Sequence, residues 1–163
     1  MSELDWVQVA AIGVMATVIM DVIGVVRAQL TGTKGLDYRF VGRWLGHMQH
    51  GQIQHEAIAR AAPIGGEWLL GWGVHYATGI VFAAVLTWIA GAGWAYSVNP
   101  SVALGFGLGT VVVPFLTLQP GLGLGIAAAN TPRPWQARWR SCFTHLSFGL
   151  GLYLAAQVVV ALS

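Results

Sequence analysis

Residues 6–26 read WVQVAAIGVMATVIMDVIGVV, an apolar run whose sole ionisable side chain is Asp21 and which Arg27 closes. At about 1.5 Å of rise per residue, a helix of about 21 residues matches a hydrocarbon core about 30 Å thick. The stretch therefore reads as a membrane-spanning helix. Three further apolar runs follow, at about 68–92, 101–118 and 141–162, the third with Pro114 inside it and Pro120 at its end. Of the 163 residues 56% are hydrophobic and 9% charged, against about 25% charged in an average soluble domain. So small a soluble globule has too little interior to bury that much apolar surface. Lipid removes the difficulty, and the 22 glycines suit helices that approach closely through small residues.

All 8 Lys and Arg residues fall in two of the gaps between the runs. Arg27, Lys34, Arg39, Arg43 and Arg60 follow the first run, and Arg133, Arg138 and Arg140 lie between the third and fourth. This is the positive-inside distribution, which makes loops 27–67 and 119–140 cytoplasmic. Both termini, with Glu3 and Asp5, are then periplasmic. Trp6, Trp88, Trp94 and Tyr96 mark one interface, and Trp68, Trp72, Trp135 and Trp139 the other. The start, MSELDW, is acidic where a cleavable signal needs a basic one. The expected fold is an all-α integral membrane protein, a four-transmembrane-helix bundle forming a single domain over residues 1–163. Its expected place is the cytoplasmic (inner) membrane, with the lipid bilayer as its first partner. A net charge of +2 from span-flanking residues is no nucleic-acid signature.

The turn at Val98-Asn99-Pro100 is short and should close a hairpin. The first cytoplasmic gap, in contrast, is too long for a simple connector. In it, residues 36–45 mix Asp37, Arg39 and Arg43 with Leu36, Phe40, Val41, Trp44 and Leu45, which suits an interfacial helix. Residues 52–61 read as a second short helix, halted by Pro63 and Gly65-Gly66.

Depth locates the candidate chemistry. Asp21 lies roughly 9 Å from the cytoplasmic end of its span, His75 roughly 12 Å into the second, and His145 roughly 8 Å into the fourth. Gln119 closes the third on the same side. The outer half offers little beyond Gln8 and Gln157. Ionisable groups at such depth are costly and are functional candidates by default. A polar layer whose members only bond one another is the plainer account. Asp21 and Glu67 are the candidate acid/base residues, His75 and His145 the candidate cofactor ligands, and Gln119 and Asn130 polar support. In the loop GHMQHGQIQHE, His47, His50 and His55 are candidate metal ligands, although their spacing matches no standard zinc motif. One cysteine, Cys142, excludes an intrachain disulfide and a cysteine-based zinc site. Gly123-Leu-Gly125-Ile-Ala127-Ala128 fits the letters of a dinucleotide fingerprint but follows a proline-broken span, not a soluble strand. An irregular backbone or close packing is the expected role of those glycines.

The chain resembles a family of small bacterial integral membrane proteins, the domain of unknown function 2938. The resemblance rests on VGRWLGHMQHGQIQHEAIARA, GEWLLGWGVHYATGIVFA, LQPGLGLGIAAANTPRPWQARWRSCFTHLSFGLGLYLAA and the Met20-Asp21 pair. It implies a bacterial four-helix membrane protein and supplies no reaction. Three functions stay open. One is a His/Asp/Glu site in the cytoplasmic half, binding a transition metal or haem or acting on a lipid-soluble small molecule. The second is a non-catalytic subunit or assembly factor of a larger membrane complex. The third is a small-molecule or proton-coupled transporter working as a homo-oligomer.

Overall fold

The computed structural model describes residues 4–33, 35–97 and 99–163; Glu3, Lys34 and Val98 of the sequence reading lie outside them. The described residues are all-α, without a strand. The order is α1 (Trp6–Thr31), α2 (Tyr38–Met48), α3 (Glu67–Ala90), α4 (Ser101–Gly109), α5 (Val112–Leu116), α6 (Leu118–Gly121) and α7 (Pro134–Ala161), with 3-10 turns at Ile58–Arg60, Ala92–Tyr96 and Ile126–Ala128. Four stretches are long and apolar enough to cross a membrane: α1, α3, α7 and the broken span Ser101–Gly121.

The local causes are legible. Asp5 caps α1 by accepting from Gln8 N at 2.8 Å, while Gln8 Oε1 accepts from Asp5 N at 2.9 Å, a capping box. The helix runs on past the expected membrane end at residue 26, and Gly32 closes it at φ +66, a left-handed conformation natural to glycine. In the third span each proline breaks the helix four residues upstream. A proline ring collides with the carbonyl of residue i−4; Pro114 thus opposes Thr110 and Pro120 opposes Leu116, where α4 and α5 stop.

Contacts divide the chain into two compact units: residues 1–35, 76–110 and 142–163, and residues 36–75 and 111–141. The first holds the apolar core, with Ile12, Ala16, Leu86, Ala103, Leu152 and Ala155 among its most buried members. Its helices meet backbone to backbone. A Cβ on Gly13 would collide with Gly79 and Ile80, one on Gly107 with Gly149, and one on Gly151 with Ala16. Outside, the helices expose Val14, Val18, Val22, Val81, Leu150, Leu154 and Val158, the surface expected of helices solvated by acyl chains. Gln8 Nε2 donates to Ser163 Oγ at 2.7 Å, which sets the start of α1 beside the end of α7. Trp94, expected at an interface, is 7% exposed and sits in this core. The 3-10 turn after α3 brings its indole N–H to Thr87 Oγ1 at 3.1 Å, which satisfies the one polar atom of the ring.

The second unit is built differently. Its α2 is strongly amphipathic, burying Val41, Gly42, Arg43 and Gly46, and lies against the start of α3. Side chains added at Gly42 or Gly71 would strike the carbonyls of Glu67 and Tyr38. The second loop helix expected at residues 52–61 is one 3-10 turn, Ile58–Arg60. The amides that such a helix would use are taken elsewhere: His55 N donates to Gly121 O at 3.0 Å and Ile58 N to Leu122 O at 3.1 Å. Long-range backbone bonds here outcompete local helix.

Candidate functional site

In the second unit α2 ends at Met48, and Gly51, at φ +79, reverses the chain. The reversal returns His55 to α2. His47 Nδ1 and His55 Nε2 then lie 2.8 Å apart. His55 is 6% exposed, and its ring Nδ1 lies 3.2 Å from the Gly121 carbonyl. His50 lies apart from the pair, exposed at the helix end, with Nδ1 on the carbonyl of Gly46 at 3.2 Å. Gly121 itself lies against the Trp44 indole, whose N–H donates to Ile53 O at 2.7 Å. An open depression beside His55 is lined by Gln54, Glu56, Gly123 and Asn130. Gly123 and Gly125 have φ of +90 and +74, and Ala127 and Ala128 follow at +48 and +59. The irregular backbone expected of this glycine segment is thus present, and Arg138 Nε anchors it on Ala127 O at 2.8 Å.

Glu67 forms a two-pronged pair with Arg43: Nε to Oε2 at 2.8 Å and Nη2 to Oε1 at 2.9 Å. The third guanidinium nitrogen donates to Ile58 O at 3.3 Å and Ala61 O at 3.1 Å. Arg43, 9% exposed, therefore ties α2, the loop and α3 together, and its hydrogen bond to Glu67 raises its pKa above the ordinary arginine value. At the head of α2, Asp37 accepts from Arg39 through both oxygens, and that side-chain bond lowers its pKa below the usual carboxylate value. His75 stacks on Tyr38 with ring centroids 4.0 Å apart, and Trp72 meets its edge at 5.6 Å. Gln119 Nε2 donates to Ser141 Oγ at 3.1 Å, while its Oε1 is buried without a partner among the described residues.

Asp21 and His145 belong to the first unit. Asp21 Oδ2 accepts from Tyr76 Oη at 3.3 Å. Thr110 Oγ1 donates to Gly107 O at 2.6 Å and lies 2.8 Å from His145 Nδ1. A hydroxyl has one proton, so His145 Nδ1–H is the donor in the second bond and Nε2 keeps its lone pair. Gly149, one turn beyond His145, serves helix contact with Ala103 and Leu104. Among the described residues no three His, Cys, Asp or Glu side chains group as metal ligands do. Sequence reasoning missed Arg43, Tyr76, Thr110 and the Gly121 carbonyl as partners. An arginine on the apolar face of an amphipathic helix was a readable signal for the first; a backbone carbonyl leaves none.

The described residues are all-α and hold four apolar stretches long enough to cross a membrane, which suggests a membrane protein. The model of a family described as "Protein of unknown function (DUF2938)" matches residues 10–159, and the chain belongs to that family. Neither the curated proteins nor the solved structures contain a match.

Proposed function

We propose that the chain is a multi-pass protein of the bacterial inner membrane, one four-helix domain with periplasmic termini and its basic loops in the cytoplasm. We further propose that it binds a small molecule at a histidine site on the cytoplasmic side. The charge bias supports the orientation, and the contact of Gln8 with Ser163 agrees with termini on one side. The observation that carries the site is the His47–His55 pair: two rings bonded directly, of which the buried one, His55, lines an open depression with Gln54, Glu56, Gly123 and Asn130. Burying an imidazole is costly unless its nitrogens are bonded, and here both are. Two nitrogens 2.8 Å apart leave no room for an ion between them, which favours an organic ligand over a metal held by this pair.

The test is native mass spectrometry of the full chain, extracted from its own membrane in mild detergent. A bound small molecule is expected in the wild type and lost in His47→Leu. The same preparation should show no His47-dependent stoichiometric metal and no haem absorption. No bound species, or one indifferent to His47, would overturn the reading.

A further inference from the structure

All 6 carboxylates of the chain precede Trp68, and residues 68–163 hold none. The basic residues of that stretch, Arg133, Arg138 and Arg140, crowd together where α7 begins. Among the described residues the ion pairs are Arg39–Asp37 and Arg43–Glu67, so these three guanidinium groups face no carboxylate partner. Arg138 is nevertheless fixed in place. Its Nε donates to Ala127 O at 2.8 Å. Ala127 is the first of two alanines at φ +48 and +59, a left-handed conformation that a Cβ disfavours. The Nη1–Nη2 edge of Arg138 makes no bond to the protein among the described residues, and that edge is a fork matching two oxygens of a phosphate. Trp135 and Trp139, 74% and 69% exposed, stand one turn apart on the outer face of α7. Helical spacing puts Arg138 on one flank of this indole pair and Arg140 on the other. Beyond Trp139 the exposed ridge continues through Phe143, Leu146, Leu150 and Leu154. From Phe143 to Leu154 it runs about 17 Å, roughly half of a hydrocarbon core about 30 Å thick.

We propose that the start of α7 binds the headgroup of an anionic phospholipid. The phosphodiester sits on the free fork of Arg138, Arg140 and Arg133 add positive charge beside it, and the acyl chains lie along the ridge below Trp139. A cationic collar at the head of an apolar ridge fits an amphiphilic anion. A soluble acidic partner would answer the charge and leave the ridge bare, and a neutral lipid would do the reverse. A zwitterionic headgroup brings an ammonium as well as a phosphate, and no carboxylate in this part of the chain receives it. The site therefore selects anionic over zwitterionic headgroups. It rests on the membrane reading above and not on the small molecule beside His55, since none of these arginines lines that depression.

Native mass spectrometry of the delipidated full chain in neutral detergent tests this, by titration with phosphatidylglycerol and with phosphatidylcholine of the same acyl chains. The wild type should hold phosphatidylglycerol the more tightly. Arg140→Gln breaks no bond within the protein and should weaken that lipid about fivefold, the worth of one arginine at a membrane surface, with phosphatidylcholine unchanged. Arg138→Lys keeps the charge without the fork and should fall between wild type and Arg138→Gln. Inorganic phosphate should not displace the lipid. Equal affinity for the two lipids, or a preference that survives Arg138→Gln combined with Arg140→Gln, would overturn the inference. Displacement by inorganic phosphate would overturn it in favour of a soluble anion. A chain that stays soluble without detergent would sink the membrane reading and this site together, whereas one that needs detergent and ignores lipid charge sinks this site alone.

Discussion

In the first unit, helices touch through Gly13, Gly79, Gly107, Gly149 and Gly151, with side chains largely absent from the closest contacts. In the second, α2 also seats on glycines, but a guanidinium, a carboxylate and two imidazoles tie its pieces together. The contrast follows from what each has to hold. Regular helices satisfy their own backbone, so only close packing is needed between them. An irregular loop has amides and carbonyls to satisfy, and side chains or distant backbone must reach them. Polar chemistry collects where backbone regularity fails, which is also where a ligand finds unspent hydrogen-bonding groups.

The sharpest way to break this contrast is Arg43→Ala. It strands the Glu67 carboxylate and two carbonyls, and losing one partner of a buried pair costs about 3–5 kcal/mol. Hydrogen exchange should speed in α2 and residues 49–66, with α1 still protected; equal loss in α1 would show that the two units are not held separately. Gly149→Leu attacks the other side. A side chain driven into Ala103 and Leu104 should cost about 3 kcal/mol, read as a lower melting temperature in detergent with the nitrogen NMR scalar coupling across the His47–His55 hydrogen bond unchanged. Gly121→Ala is milder, about 1–2 kcal/mol, because the indole of Trp44 must shift. It should nevertheless weaken that coupling more than it weakens stability.

The smallest effect is expected at Asp37, the N-cap of α2. Asp37→Ala should remove about 1 kcal/mol. Arg39 lowers the pKa of the carboxyl in the folded protein, so its contribution is complete above the unfolded carboxylate value and fades as pH falls through the folded one. Melting curves of wild type and variant should therefore converge on acidification; a constant gap would assign the effect to the cap geometry alone.

Much of the architecture was open to reading because it depends on local periodicity and length. Three of the four apolar runs became unbroken helices of spanning length, and Pro114 and Pro120 broke the remaining one where their rings required. The site was less legible. His47 and His55 stood out as residue types, but their direct bond depends on Gly51 reversing the chain and on the carbonyl of Gly121, far away in sequence. Residues 52–61 looked helical for the same reason that they were misread: their propensity is local, while their amides bond to Gly121 and Leu122. The burial of Trp94 was not legible either, because it depends on a 3-10 turn that brings the indole to Thr87.

Composition and spacing alone determined the class of protein and the length of its helices, since lipid admits few solutions for an apolar chain. Tertiary structure alone decided which polar groups meet, because a hydrogen bond is made across space and a backbone carbonyl has no letter in the sequence.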